Sequence, residues 1–159
     1  YMFDFYDGGG LDVAFLGMAQ ADRYGNVNVS KFSGRVAGIG GFMNITQNAQ
    51  KVCFTGTFTA SGLRSTYENG AVHIEQEGKL RKFVDRVEQV TYSGAEGLKR
   101  KQTVLFITER AIFRLVADGL ELIEIAPGVD VQKDVLGQMD FEPLISPELK
   151  TMSEARFLT

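Results

Sequence analysis

Apolar positions along this chain fall into short runs separated by glycine-containing turns, the pattern of strands more than of long helices. After the turn Asp7-Gly8-Gly9-Gly10, the run Leu11-Asp12-Val13-Ala14-Phe15-Leu16-Gly17 reads as a largely buried strand. A second turn, Asp22-Arg23-Tyr24-Gly25-Asn26, leads into strand-like alternation through Val27, Val29 and Phe32. Gly38-Ile39-Gly40-Gly41-Phe42-Met43 follows, and Asn44 to Gln50 continues it as a helix. Lys51 to Thr59 is rich in β-branched and aromatic residues and predicts another strand. Leu63 to Thr66 and Ala71 to Gln76 flank Tyr67-Glu68-Asn69-Gly70, and Asn-Gly between extended runs predicts a hairpin. Phe83 to Tyr92 reads as half-buried strand or irregular structure, and Ser93 to Lys101 as a loop that can hold a helical turn. Thr103 to Thr108 predicts a central, fully buried strand. Ala111 to Val116 and Leu120 to Ile125 form a second hairpin about Asp118-Gly119. Asp130 caps a helix through Leu136, and the tail after Pro143 reads as loop. The fold class is α/β: a strand-rich open sheet with flanking helices.

Strand, glycine turn and helix start is an order with a chemical use. Glycines reach backbone angles closed to other residues and let a ligand approach the main chain. The first N–H groups of the next helix lack intrahelical partners, so they suit an anion or a developing oxyanion.

Composition narrows the choices. The 159 residues make one ordinary domain, and an apolar fraction of 44% with 23% charged residues is that of a globular chain. A net charge of −3 with scattered cations gives no nucleic-acid footprint. The one basic cluster, Lys99-Arg100-Lys101, reads as a solvated face near a helix end. No apolar run is long enough to span a bilayer, so no membrane partner is expected. Cys53 is the only cysteine and lies in an apolar run, as a buried thiol would; His73 is the only histidine. Multi-histidine and multi-cysteine metal sites are thereby excluded, and a reducing cytoplasm fits. Tyr1-Met2-Phe3-Asp4-Phe5-Tyr6 is aromatic from its first residue, which reads as a segment cut from a longer chain.

Several collinear blocks carry a family likeness. They are Phe3 to Asp12, Phe15-Leu16-Gly17, Asp22 to Phe32, Gly38-Ile39-Gly40-Gly41-Phe42, Ile107 to Phe113 and Glu124 to Asp130. In these the chain resembles the C-terminal part of family I CoA-transferases, in particular the acetate/propionate branch related to succinyl-CoA:3-oxoacid CoA-transferase. The likeness covers nearly the whole of residues 1–159 and implies a partial CoA-transferase-like domain. It implies CoA transfer between a short-chain acyl-CoA and a free carboxylate through a glutamyl-CoA thioester. Coenzyme A is then a co-substrate, and no bound cofactor is expected. Gly38, Gly40, Gly41 and Phe42 would form the wall facing the thioester, and Asn28 aligns with an asparagine near CoA. The nucleophilic glutamate of the family lies upstream of the aromatic-GGG block, hence upstream of Tyr1. The implied partners are that upstream half and, for the parent, further copies of itself. The chain alone would be inactive.

Glu68-Asn69-Gly70 copies the letters of the nucleophile motif but falls inside the predicted hairpin, so it reads as a turn with an exposed acid. Glu109 follows a buried strand and reads as an ion-pair partner, and His73 as a side chain on a hairpin arm. Two other functions stay open: acyl-CoA hydrolysis by the same thioester, and a non-catalytic CoA-binding or assembly module.

Overall fold

Val52 and Phe54 alternate along one strand, Val104 and Phe106 along its neighbour, and all four are buried; the rest of the sheet is built outward from them. The computed structural model describes Asp4, Gly8 and residues 10–32, 35–36 and 38–157. Most of the aromatic opening segment therefore lies outside the described residues. In chain order the strands are β1 (Val13–Gly17), β2 (Gln20–Asp22), β3 (Val27–Asn28), β4 (Lys31–Phe32), β5 (Arg35–Val36), β6 (Lys51–Thr55), β7 (Thr59–Ala60), β8 (Arg64–Glu68), β9 (Ala71–Gln76), β10 (Leu80–Arg81), β11 (Phe83–Val84), β12 (Thr103–Ile107), β13 (Ala111–Val116), β14 (Gly119–Ile125) and β15 (Leu144–Thr151). Helix α1 (Phe42–Asn48) precedes β6, and α2 (Gly94–Lys99) precedes β12.

The main sheet has the order β1-β6-β12-β13-β14-β15. Its first three strands are parallel, β13 runs against both β12 and β14, and β15 pairs parallel to β14. This is the strand-rich open sheet with flanking helices that the sequence predicts. Phe54 carries one layer of packing, with Phe42 of α1 at 6.0 Å, Tyr92 at 5.1 Å and Phe106 at 5.4 Å between ring centroids. Phe58, Phe83 and Phe113 form a second aromatic cluster.

The hairpins form where turn chemistry places them. Asn69 and Gly70 take φ of 53° and 76°, as a type I′ turn requires, between β8 and β9. Asp22 builds its turn by accepting from Tyr24 N and Asn26 N, each at 3.0 Å.

Several elements differ from the expectation. β1 is a sheet edge, not a largely buried strand: Val13 is 43% and Phe15 70% exposed, because among the described residues β6 alone pairs with it. The run from Val27 to Phe32 breaks in two. The Asn28 Oδ1 accepts from Ser30 N and Lys31 N at 3.0 and 3.1 Å, which turns the chain there. β12 is central but only half buried, with Leu105 and Ile107 partly exposed. The tail after Pro143 is strand β15, an edge whose register jumps between Leu122↔Ile145 and Glu124↔Lys150. Pro147 falls within that jump, where its missing N–H breaks no ladder bond. Asp130 does cap through Lys133 N at 2.7 Å, but the segment it opens is a π-turn, Val131–Val135, followed by a 3-10 turn.

Candidate functional site

The glycine turn stands between β5 and α1. Gly38 and Gly40 are exposed, and a Cβ built on either would meet no heavy atom within 4 Å. Gly40 has φ +51°, a conformation that side chains disfavour. Gly41 caps α1 with φ −83° and ψ 9°, which any residue can adopt. Its carbonyl accepts from Ile45 N at 3.0 Å, and Phe42 N donates to Ile39 O at 3.0 Å. Among the described residues, the Gly40 and Gly41 amides have no acceptor. Phe42 is buried and stacks on Phe54, near the end of β6, so the glycines lie toward the carboxyl ends of the parallel strands. Open α/β sheets take their ligands at that end.

Helix α1 is short and ends without a basic residue in its last turn, so its terminal carbonyls need outside partners. Gln102 Nε2 donates to Thr46 O at 2.8 Å and Ala49 O at 2.6 Å, and Arg100 donates to Gln47 O at 2.7 Å. The basic cluster therefore lies at a helix end as read, yet Arg100 also anchors the helix behind the glycine turn. Gln102 carried no motif, and the sequence offered no signal for it. A cleft of about 200 Å³ opens between the two helices, lined by Met43, Thr46, Tyr92 and Gln102 among others. The glycines do not line it. Burial pushes the Tyr92 hydroxyl in its wall up to about 12, with Arg100 partly offsetting.

At the carboxyl end of β12, Thr108 folds the chain back by accepting from Ala111 N at 3.0 Å. The turn carries Glu109 and Arg110. Arg110 is fully buried, pairs with Glu77 through both terminal nitrogens and with Glu109 Oε1 through Nε at 2.7 Å. It donates also to Asp134 O at 3.0 Å and lies over the Phe58 ring at 5.0 Å. Burial opposes its charge, but the bonds from Glu77 and Glu109 prevail and push the guanidinium up. The second Glu109 oxygen accepts from Phe58 N at 2.8 Å. Glu109 is an ion-pair partner, and both its oxygens are occupied.

The remaining candidates separate cleanly. Asn28 is fully buried, and its amide donates to Gln20 Oε1 at 2.8 Å and Lys31 O at 2.6 Å. Both ends of the amide are used inside the protein. Glu68 is exposed at the hairpin tip, and His73 is exposed on β9. Cys53 is a free thiol, 2% exposed, and burial pushes it up while Lys51 partly offsets. Among the described residues no three His, Cys, Asp or Glu side chains are grouped as a metal set. No helix among them is long and apolar enough to cross a membrane.

Comparison with known proteins bears on what this arrangement belongs to. No family model matches the chain. It is 52% identical over 156 residues to the acetate CoA-transferase YdiF of Escherichia coli K12, covering 98% of this chain and 29% of that protein. It is 50% identical over 161 residues to a caffeate CoA-transferase of Acetobacterium woodii, again over 98% of this chain and 30% of the relative. The crystal structure of the YdiF apoenzyme from Escherichia coli O157:H7 superposes with a TM-score of 0.96, over 98% of this chain and 30% of that one. The chain is a partial CoA-transferase piece. It spans about 30% of the length of these relatives. A second YdiF structure is a thioester complex with CoA. The decarboxylase AibA/AibB shares the fold at a TM-score of 0.70 and 20% identity, over 96% of this chain and 55% of that one.

Proposed function

We propose that the full-length protein carrying this CoA-transferase piece moves CoA between a short-chain acyl-CoA and a free carboxylate. The observation that carries this reading is 52% identity along 98% of the chain to an acetate CoA-transferase whose relative is solved as a CoA thioester. In the first step a glutamate carboxylate, upstream of Tyr1, attacks the acyl carbonyl. The carbonyl oxygen becomes an oxyanion, and its collapse expels CoA thiolate to leave a mixed anhydride. The thiolate then attacks the glutamyl carbonyl, releasing the first carboxylate and forming the glutamyl-CoA thioester. An acceptor carboxylate reverses these steps. Two tetrahedral oxyanions form on the way, and backbone donors already in place stabilise them without reorganising.

The glycine turn supplies those donors. The Gly40 and Gly41 amides have no acceptor among the described residues, and the bare Gly38 and Gly40 leave the main chain open to a thioester. Phe42 fixes the turn against the sheet through Phe54. Asn28 acts from the interior, by holding the 28–31 turn. The parent works as a homo-oligomer. Its carboxylate is not named by identity alone, since relatives of 52% and 50% identity carry acetate and caffeate in their names.

The test is mass spectrometry of the full-length protein after acetyl-CoA is added, with exchange into labelled acetate followed in parallel. A CoA adduct on one glutamate outside residues 1–159, together with exchange, is the expected result. Release of CoA at a rate indifferent to acetate would make the protein a hydrolase. Neither adduct nor turnover would leave only a binding or assembly module.

A further inference from the structure

Lys82 lies between β10 and β11, and its carbonyl accepts from Ala21 N at 2.8 Å. The residue is only 7% exposed. Its ammonium reaches the point where three parallel strands end. A Cβ built on Gly56 would meet the Lys82 Nζ at 2.6 Å and Met18 O at 3.4 Å. Gly56 follows β6 and donates to Ile107 O at 3.1 Å, while Met18 follows β1 and donates to Thr55 O at 3.2 Å. The bare glycine is what lets the ammonium lie there.

Among the described residues this ammonium has no hydrogen bond and no salt bridge. Nor does any side-chain nitrogen sealed from solvent lack a partner among them, so the Lys82 ammonium keeps a window to the exterior. Glu109 is the acid that acts on it through space, but both Glu109 oxygens are held by Phe58 N and Arg110 Nε. A largely desolvated, unpaired cation costs stability. Burial lowers the Lys82 pKa accordingly, and Glu109 offsets part of the shift. No contact among the described residues accounts for keeping a lysine here.

We propose that Lys82, seated over Gly56 at the carboxyl ends of β1, β6 and β12, is a docking cation for a carboxylate. A carboxylate fits better than a phosphate. The site has one point charge and no arginine fork, and the nearby Met18 carbonyl would repel a dianion. Two sources share this chemistry: the free carboxylate acceptor, and an Asp or Glu side chain outside residues 1–159. The role of the first source rests on the transferase reading above.

The experiment uses full-length protein with Lys82→Met and, separately, Gly56→Ala, which keeps the charge but pushes the ammonium aside. Gly56→Ala is expected to shift each kinetic readout in the same direction as Lys82→Met, by less. If the acceptor docks there, KM for acetate rises about tenfold or more in Lys82→Met while KM for acetyl-CoA holds, the size of a lost charge-assisted bond. If a protein carboxylate docks there, formation of the CoA adduct slows by a similar factor and KM for acetate is unchanged. Unchanged kinetics in both variants overturn the proposal. If the wild type exchanges no CoA, the transferase reading fails, yet Tm still tests the site. Acetate raising Tm in the wild type and not in Lys82→Met supports free carboxylate docking. A fall in Tm on Lys82→Met supports a protein carboxylate. A higher Tm for Lys82→Met with no acetate effect in either protein refutes both.

Discussion

Two groups of residues stand at the carboxyl ends of the parallel strands, and they are built in opposite ways. Around Arg110 the charged groups are matched: the guanidinium is spent on Glu77, Glu109 and Asp134 O, and Glu109 is spent again on Phe58 N. Around Gly40 and Gly41 the amides are aimed at no acceptor among the described residues, and Gly38 and Gly40 have open space. Closed networks hold a fold together; open donors wait for a ligand. The difference teaches which acid to discount. Glu109 stands at the carboxyl end of β12 but both its oxygens are held, whereas the turn has donors with no acceptor among the described residues; under the proposed function its nucleophile comes from elsewhere.

The comparison breaks most visibly at its structural pole. Replacing the fully buried Arg110 with Met leaves two half-buried acids, Glu77 and Glu109, without their cation and should cost about 3–5 kcal/mol in urea unfolding. A loss under about 1 kcal/mol would mean that the network is not what holds this end of the sheet. At the other pole, Gly41→Val meets no backbone strain at φ −83°, so the protein should stay folded. Valine keeps the N–H but crowds the reacting carbonyl and displaces that amide from the oxyanion, so turnover in full-length protein should fall by roughly 10²–10³, the size of one lost oxyanion donor. Near-normal exchange from a folded variant would remove the turn from the mechanism. Gly40→Val is the contrasting control, because φ +51° adds about 1–2 kcal/mol of strain.

A smaller effect tests how the two poles are connected. Gln102→Leu removes two of the hydrogen bonds to carbonyls at the end of α1, leaving the one from Arg100, and should cost about 1–3 kcal/mol, with faster hydrogen exchange along Phe42–Asn48. Unaltered exchange there would show that the Phe42–Phe54 stack and the Arg100 bond to Gln47 O hold α1 without Gln102. The smallest change is expected at Glu68→Gln, within about 0.5 kcal/mol in stability and with turnover unchanged. A large loss of turnover would return Glu68 to the site.

The same fold also limits what shape can say. A decarboxylase superposes on this chain at 20% identity, so the architecture alone does not choose a reaction. Sequence identity to transferases narrows it, and the residues at the carboxyl edge must do the rest.

By itself the amino-acid sequence determined what depends on near neighbours. Asn69-Gly70 takes its turn from two residues with positive φ, Asp22 and Asp130 bond amides a few positions away, and the glycine turn opens a helix directly behind it. The runs of β-branched and aromatic residues likewise marked where most of the sheet's strands lie. Only the tertiary structure decided which strands are edges. Phe15 has the same apolar character as Phe54, yet one is 70% exposed and the other fully buried, because a strand's partners come from elsewhere in the chain. Arg110 finds Glu77 across 33 positions, and Phe58 finds Glu109 across 51. The seat of Lys82 over Gly56, and the two hydrogen bonds that the Gln102 amide donates, are likewise long-range. Local backbone angles are written in adjacent side chains, whereas burial and ion pairing arise only when distant segments share one space.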